Sequence, residues 1–156
     1  MPAPGETVSG SEYAEYPGGK GLNQAVAAAR SGARTAFVGA VGTDGAADVL
    51  LGVMAHDHID AQRVRRVSAP TGRALIGVSA IGENSIIVVA GANALVSVDE
   101  SHPLPAALVV LAQLEVPVAA VEAAFASARR HGAITVLNPA PAQPLPPDLL
   151  RHVTYL

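Results

Sequence analysis

Two short stretches hold the side chains best suited to chemistry. The first is Gly18-Gly19-Lys20-Gly21-Leu22-Asn23-Gln24. Glycines ahead of a helix let the backbone come close to a ligand, and the free N–H groups of the first turn point at it. Lys20 adds a charge, and Asn23 and Gln24 add amides in the same turn. The second is Gln113-Leu114-Glu115, at the end of an expected strand. Ligands in open α/β sheets bind beyond the carboxyl ends of strands, and an ionised carboxylate there accepts hydrogen bonds from two hydroxyls. Both stretches also have plainer readings. The first is equally a glycine turn with a solvated lysine, and Glu115 a first-turn carboxylate that complements a helix dipole.

Gly91-Ala92-Asn93-Ala94 suits a hinge or a close approach to ligand, and equally a turn capped by Asn93. Asn138-Pro139-Ala140-Pro141 puts a polar residue at another strand's end, or forms a rigid exit loop. The glycine run is not a P-loop, because Lys20 precedes the helix instead of closing a Gly-x-x-x-x-Gly-Lys run. His56, His58, His102, His131 and His152 show no metal-ligand spacing, so no metal site is assigned to them.

The helices and strands that would hold these groups follow from pattern. Lys20 to Ser31 reads as a helix with Leu22, Val26 and Ala29 on one face and Gly32 ending it. Thr35 to Val41 is a buried strand. Thr43 or Asp44 caps a helix over 46–56, and 59–67 is a strand. Residues 73–80 and 85–90 form a hairpin with Gly82 to Asn84 at its tip. Then come a strand over 107–114, a helix over 118–131, a strand over 133–137, a proline-rich connection over 139–147 and a strand start at 153–156. Strands alternating with helices imply a doubly wound parallel sheet with helices on both faces. Two β-rich inserts, about 5–16 and 71–92, break that alternation and are expected to pair into a small β-sheet lid over a cleft.

Composition narrows the class. The chain of 156 residues is half apolar, enough for one domain with an ordinary core. It has no Cys, hence no disulfide or thiolate site. A net charge of -3, few aromatics and scattered arginines argue against nucleic acid. The pairs Arg65-Arg66 and Arg129-Arg130 read as solvated edges. The longest apolar stretch, 104–126, is broken by Pro105, Gln113, Glu115, Pro117 and Glu122, so no membrane span is expected. The N-terminus lacks the features of a signal peptide, and a cytoplasmic location is expected. Lys20 is the single lysine, suggesting a role that a planar guanidinium would not fill.

The motifs together resemble those of the ribokinase (phosphofructokinase-B-like) carbohydrate kinases, along essentially the whole of 1–156. Pro4-Gly5-Glu6-Thr7 is similar to the family's lead into its lid. Gly18 to Ala25, continuing through Gly39-Ala40-Val41-Gly42-Thr43-Asp44, resembles its long first signature. Pro70-Thr71-Gly72, Gly82-Glu83-Asn84, 90–94, 113–115 and 137–142 are similar to the ribokinase branch in particular.

The resemblance implies ATP- and Mg2+-dependent phosphorylation of D-ribose at its 5-hydroxyl. It implies a sugar held by Gly19, Lys20, Gly21, Leu22 and Asn23, with Glu115 accepting from sugar hydroxyls, and a homodimer formed through the lid in the full-length protein. Several family segments have no counterpart here: the opening strand with its Asn and Asp, the Asn-x-x-Glu motif near magnesium and nucleotide, and the Gly-Ala-Gly-Asp segment with the catalytic base. No catalytic residue is therefore assigned, and neither Asp44 nor Asp48 matches that base. The chain is expected to be an incomplete, inactive fragment, prone to aggregate or dependent on a partner. The alternatives are a non-catalytic sugar-binding or regulatory remnant, or a kinase for deoxyribose, fructose or a nucleoside.

Overall fold

The computed structural model describes residues 2, 4–99 and 101–156. Two βαβ units form its body. The first runs β1 (Ala36–Val41), α2 (Gly45–His56), β2 (Asp60–Arg66), preceded by α1 (Lys20–Arg30). The second runs β5 (Val109–Ala112), α3 (Val118–Arg130), β6 (Ile134–Leu137). β1 pairs with β2 and β5 with β6, both in parallel, as crossover helices require. Tyr155 bridges Val136 in parallel, so the expected last strand is one bridge long. No hydrogen-bonded ladder joins the two pairs among the described residues.

The core has three parts. Leu22 and Ala25 of α1 pack with Met54 and Ile59. Val121, Ala124 and Phe125 of α3 pack with Leu114, Leu137 and Leu149. Ala40, Ala92, Val96 and Ala120 join the units. Leu149 belongs to α4 (Pro147–Arg151), a short helix not expected from the proline-rich sequence there; Pro147 at its first position needs no N–H partner.

The three long helices end alike, each with a left-handed residue followed by a turn into a strand. The positions are Gly32 (φ 92), His58 (φ 54) and Gly132 (φ 76). In each, the next amide reaches back to the helix: Ala33 to Ala28, Ile59 to Met54 and Ala133 to Ala128. These are Schellman closures, which satisfy the last carbonyls and set the exit direction.

β3 (Arg73–Val78) and β4 (Asn84–Val89) form the expected antiparallel hairpin, and every residue of both strands is exposed. The other insert departs from expectation: residues 6–16 are exposed and form no strand. Apolar residues there are sparse, only Val8, Tyr13, Ala14 and Tyr16, and offer no continuous face for pairing. An ion pair, Arg73 to Glu15 at 3.4 Å, links it to the hairpin.

Candidate functional site

The glycine turn and the end of β5 meet. Gly19 is the N-cap of α1, with φ 99 and ψ 142, a conformation that costs glycine little. No side chain caps α1 in the usual way. Instead the Lys20 N–H donates to Oε2 of Glu115 at 2.8 Å, across 95 residues of sequence. A carboxylate on the first free N–H of a helix combines a charge-assisted hydrogen bond with the dipole. Gln113 Nε2 donates to Gln24 Oε1 at 2.6 Å, tying the second turn of α1 to the same strand end. Gly21 lies beneath: a Cβ there would sit 3.1 Å from Gln113 Oε1 and 3.3 Å from the Phe37 ring.

The expected residues thus fall into two groups. Gly19, Lys20, Gly21 and Glu115 converge. Leu22 does not present its side chain to the cleft: it is 5% exposed and packs in the core, so only its backbone faces the turn. Asn23 is exposed, and its N–H closes the first helical bond onto the Gly19 carbonyl at 2.9 Å. The Lys20 ammonium forms no ion pair with any described residue. A half-buried lysine, a carboxylate oxygen free of the Lys20 bond and a glycine backbone together suit a small polyhydroxylated ligand.

Sequence reasoning missed the Gln24–Gln113 pair, although both residues lie within quoted motifs. It also missed what Asp44 does beyond capping α2. Asp44 Oδ1 accepts from the Ala47 N–H at 3.1 Å, as a cap should. It also accepts from the Thr71 hydroxyl at 2.6 Å, and Oδ2 accepts from the Thr71 N–H at 3.0 Å. The Thr71 hydroxyl, its N–H and the Ala47 N–H hold the Asp44 carboxyl down to about 2.

A nucleotide does not fit these residues. A phosphate placed at the α1 N-terminus would meet the Glu115 carboxylate that already occupies the first N–H. Among the described residues no three His, Asp or Glu side chains converge to hold magnesium.

The pfkB family carbohydrate kinase profile matches residues 2–156, and the chain belongs to that family. Within it, the similarity to ribokinases is high. The chain is 44% identical to the ribokinase of Staphylococcus aureus over 159 residues, covering 98% of this chain and 52% of that protein. It is 42% identical to the Haemophilus influenzae ribokinase, again over 98% of this chain and 52% of the relative. The deoxyribokinase of Salmonella typhi is 35% identical over 147 residues, 91% of this chain and 48% of that one.

Among solved structures, the Arabidopsis thaliana ribokinase complexed with ribose and ATP superposes with a TM-score of 0.85 at 28% identity, over 98% of this chain and 52% of its own. The ribokinase of Thermotoga maritima gives 0.83 at 34% identity, over 97% and 50%. The chain therefore spans about half the length of the relatives it matches. The ribokinase-like α/β fold, with parallel strands and crossover helices, is shared.

Proposed function

We propose that this chain forms the sugar-gripping part of an ATP-dependent kinase that converts D-ribose to ribose 5-phosphate. The observation that carries the reading is the bond from Lys20 N–H to Glu115, which assembles a helix N-terminus, an ammonium and a carboxylate from distant parts of the sequence. In this reading Gly19, Lys20, Gly21 and Asn23 hold the sugar through backbone, ammonium and amide, with Leu22 contributing backbone only. The second Glu115 oxygen accepts from sugar hydroxyls. The 73–89 hairpin is the lid, with 5–16 as an unstranded flank, and its apolar faces join two protomers in the full-length protein. ATP and Mg2+ are bound by parts of the protein other than the residues described here. Ribose is favoured over deoxyribose because ribokinases match at 36–44% identity and the deoxyribokinases at 35%.

The test is ADP release dependent on D-ribose, measured for this chain and for one extended at both ends along its genomic reading frame. Turnover only in the extended form, preferring ribose to 2-deoxyribose, fructose and nucleosides, is the expected result. Turnover by this chain alone would overturn the division of labour. Ribose binding without turnover in either form would favour a non-catalytic sugar-binding protein.

A further inference from the structure

Thr71 lies two residues before β3, at the point where the chain leaves the body for the hairpin, and it is 4% exposed. Its hydroxyl and its N–H both donate to Asp44, and its Oγ1 accepts from the Gly42 N–H at 2.9 Å. The ascending leg of the hairpin is thereby fixed to the β1–α2 turn. The descending leg is fixed to the ascending one: the Ala92 N–H donates to the Pro70 carbonyl at 2.8 Å.

The legs touch through glycines. A Cβ on Gly91 would lie 2.3 Å from the Pro70 oxygen, and one on Gly72 would lie 2.5 Å from Asn93 Nδ2. A Cβ on Gly42 would lie 2.7 Å from both the Ala69 oxygen and the Thr71 nitrogen. Beyond this knot, every residue of β3 and β4 is exposed. The stance of the hairpin is therefore set at its root.

We propose that Asp44 is a positioning residue for the hairpin: by binding Thr71 twice it fixes the angle at which the hairpin stands over the body, and the swing is confined to Gly72 and to Ala90–Gly91. This rests on the hairpin acting as the lid, as in the proposed function, but the geometry can be tested without any sugar. Asp44 touches no part of the sugar cleft described above. It acts through Thr71.

The chain has no cysteine, so two introduced ones can be labelled cleanly. Nitroxides at Glu83→Cys and Arg130→Cys report the distance from hairpin tip to body, and nitroxides at Ser31→Cys and Arg130→Cys report the body alone. Asp44→Ser retains a helix cap but cannot span both Thr71 donors. Thr71→Val removes the hydroxyl and leaves Asp44 on the Ala47 N–H and the backbone N–H of residue 71, and Thr71→Ser restores the hydroxyl.

Asp44→Ser and Thr71→Val are expected to broaden the tip-to-body distance distribution at least twofold, with the body-only distribution unchanged. Thr71→Ser is expected to match the parent. An unchanged tip distribution in both variants, equal broadening of the body pair, or a Thr71→Ser variant as broad as Thr71→Val overturns the proposal. Failure of ribose binding with the tip distribution as expected would instead count against the sugar assignment alone.

Discussion

In the proposed site Glu115 has two duties through two oxygens: one holds α1 by the Lys20 N–H, and the other would accept from the ligand. Glu115→Gln keeps an acceptor for Lys20 and removes the charge offered to hydroxyls. Hydrogen bonds to charged groups contribute about 1.5–3 kcal/mol. D-ribose affinity is therefore expected to fall roughly 10- to 100-fold, with the helical circular dichroism unchanged. Calorimetric titration of the two proteins checks this, and equal affinities would remove Glu115 from the sugar site.

Asp44 gives a pH signature. Its carboxyl is held to about 2, below the ordinary value of about 4. A lowered native pKa contributes stability above the ordinary value, which is lost as pH falls through the native one. Between about pH 4 and 2 the urea midpoint of the parent should therefore drop faster than that of Asp44→Asn, and the two should converge at the acid end. Parallel curves would show that Asp44 is not held by Thr71.

At the scale of elements, the closure of α2 is the exception among three like ends. His58 takes a left-handed conformation that Gly32 and Gly132 take without a Cβ penalty. That penalty is roughly 1–2 kcal/mol, partly offset by the greater freedom of glycine in the unfolded chain. His58→Gly is expected to stabilise by about 0.5–1 kcal/mol, read as a higher urea midpoint at unchanged slope. A lower midpoint would mean that the His58 side chain contributes more than its backbone costs.

Legibility in the sequence followed the same physics. Helices with a terminal glycine and strands rich in β-branched residues were plain within a residue or two, because both signals are local. Gly18 to Gln24 and Glu115 could be named separately, each with a plain alternative, but their bond is not a local property. α4 stays hidden because its prolines read as a loop, while Leu149 gains its burial from a cluster that includes Leu114, residues of α3 and Leu137 of β6. The 5–16 segment misled because weak alternation without a partner does not make a strand.

At the scale of the whole molecule, the hairpin and the β5–β6 pair each expose a group of apolar side chains. Leu75 pairs with Ile87 on one hairpin face and Ile76 with Ile86 on the other; all four are more than half exposed. Leu108 is 88% exposed, and Val109, Leu111 and Ile134 stand on one face of β5–β6 at 41–52%. Isolated two-stranded hairpins are marginal in water, and apolar patches of this kind mark association sites. Sedimentation should show self-association that rises with concentration. Ile86→Lys with Ile87→Lys should reduce it several-fold if the hairpin is the contact. No reduction would place the contact on the β5–β6 face instead.

The half-buried Lys20 has a practical consequence. Because it is the only lysine, an amine-reactive reagent has one side-chain target in the chain, and that target belongs to the residue whose N–H holds Glu115 in the proposed site. The acylation rate of that single amine, followed by mass spectrometry and separated from the terminal amino group by digestion, becomes a direct meter of pocket occupancy. No engineered label is needed. Any candidate sugar can be ranked by how well it shields one atom.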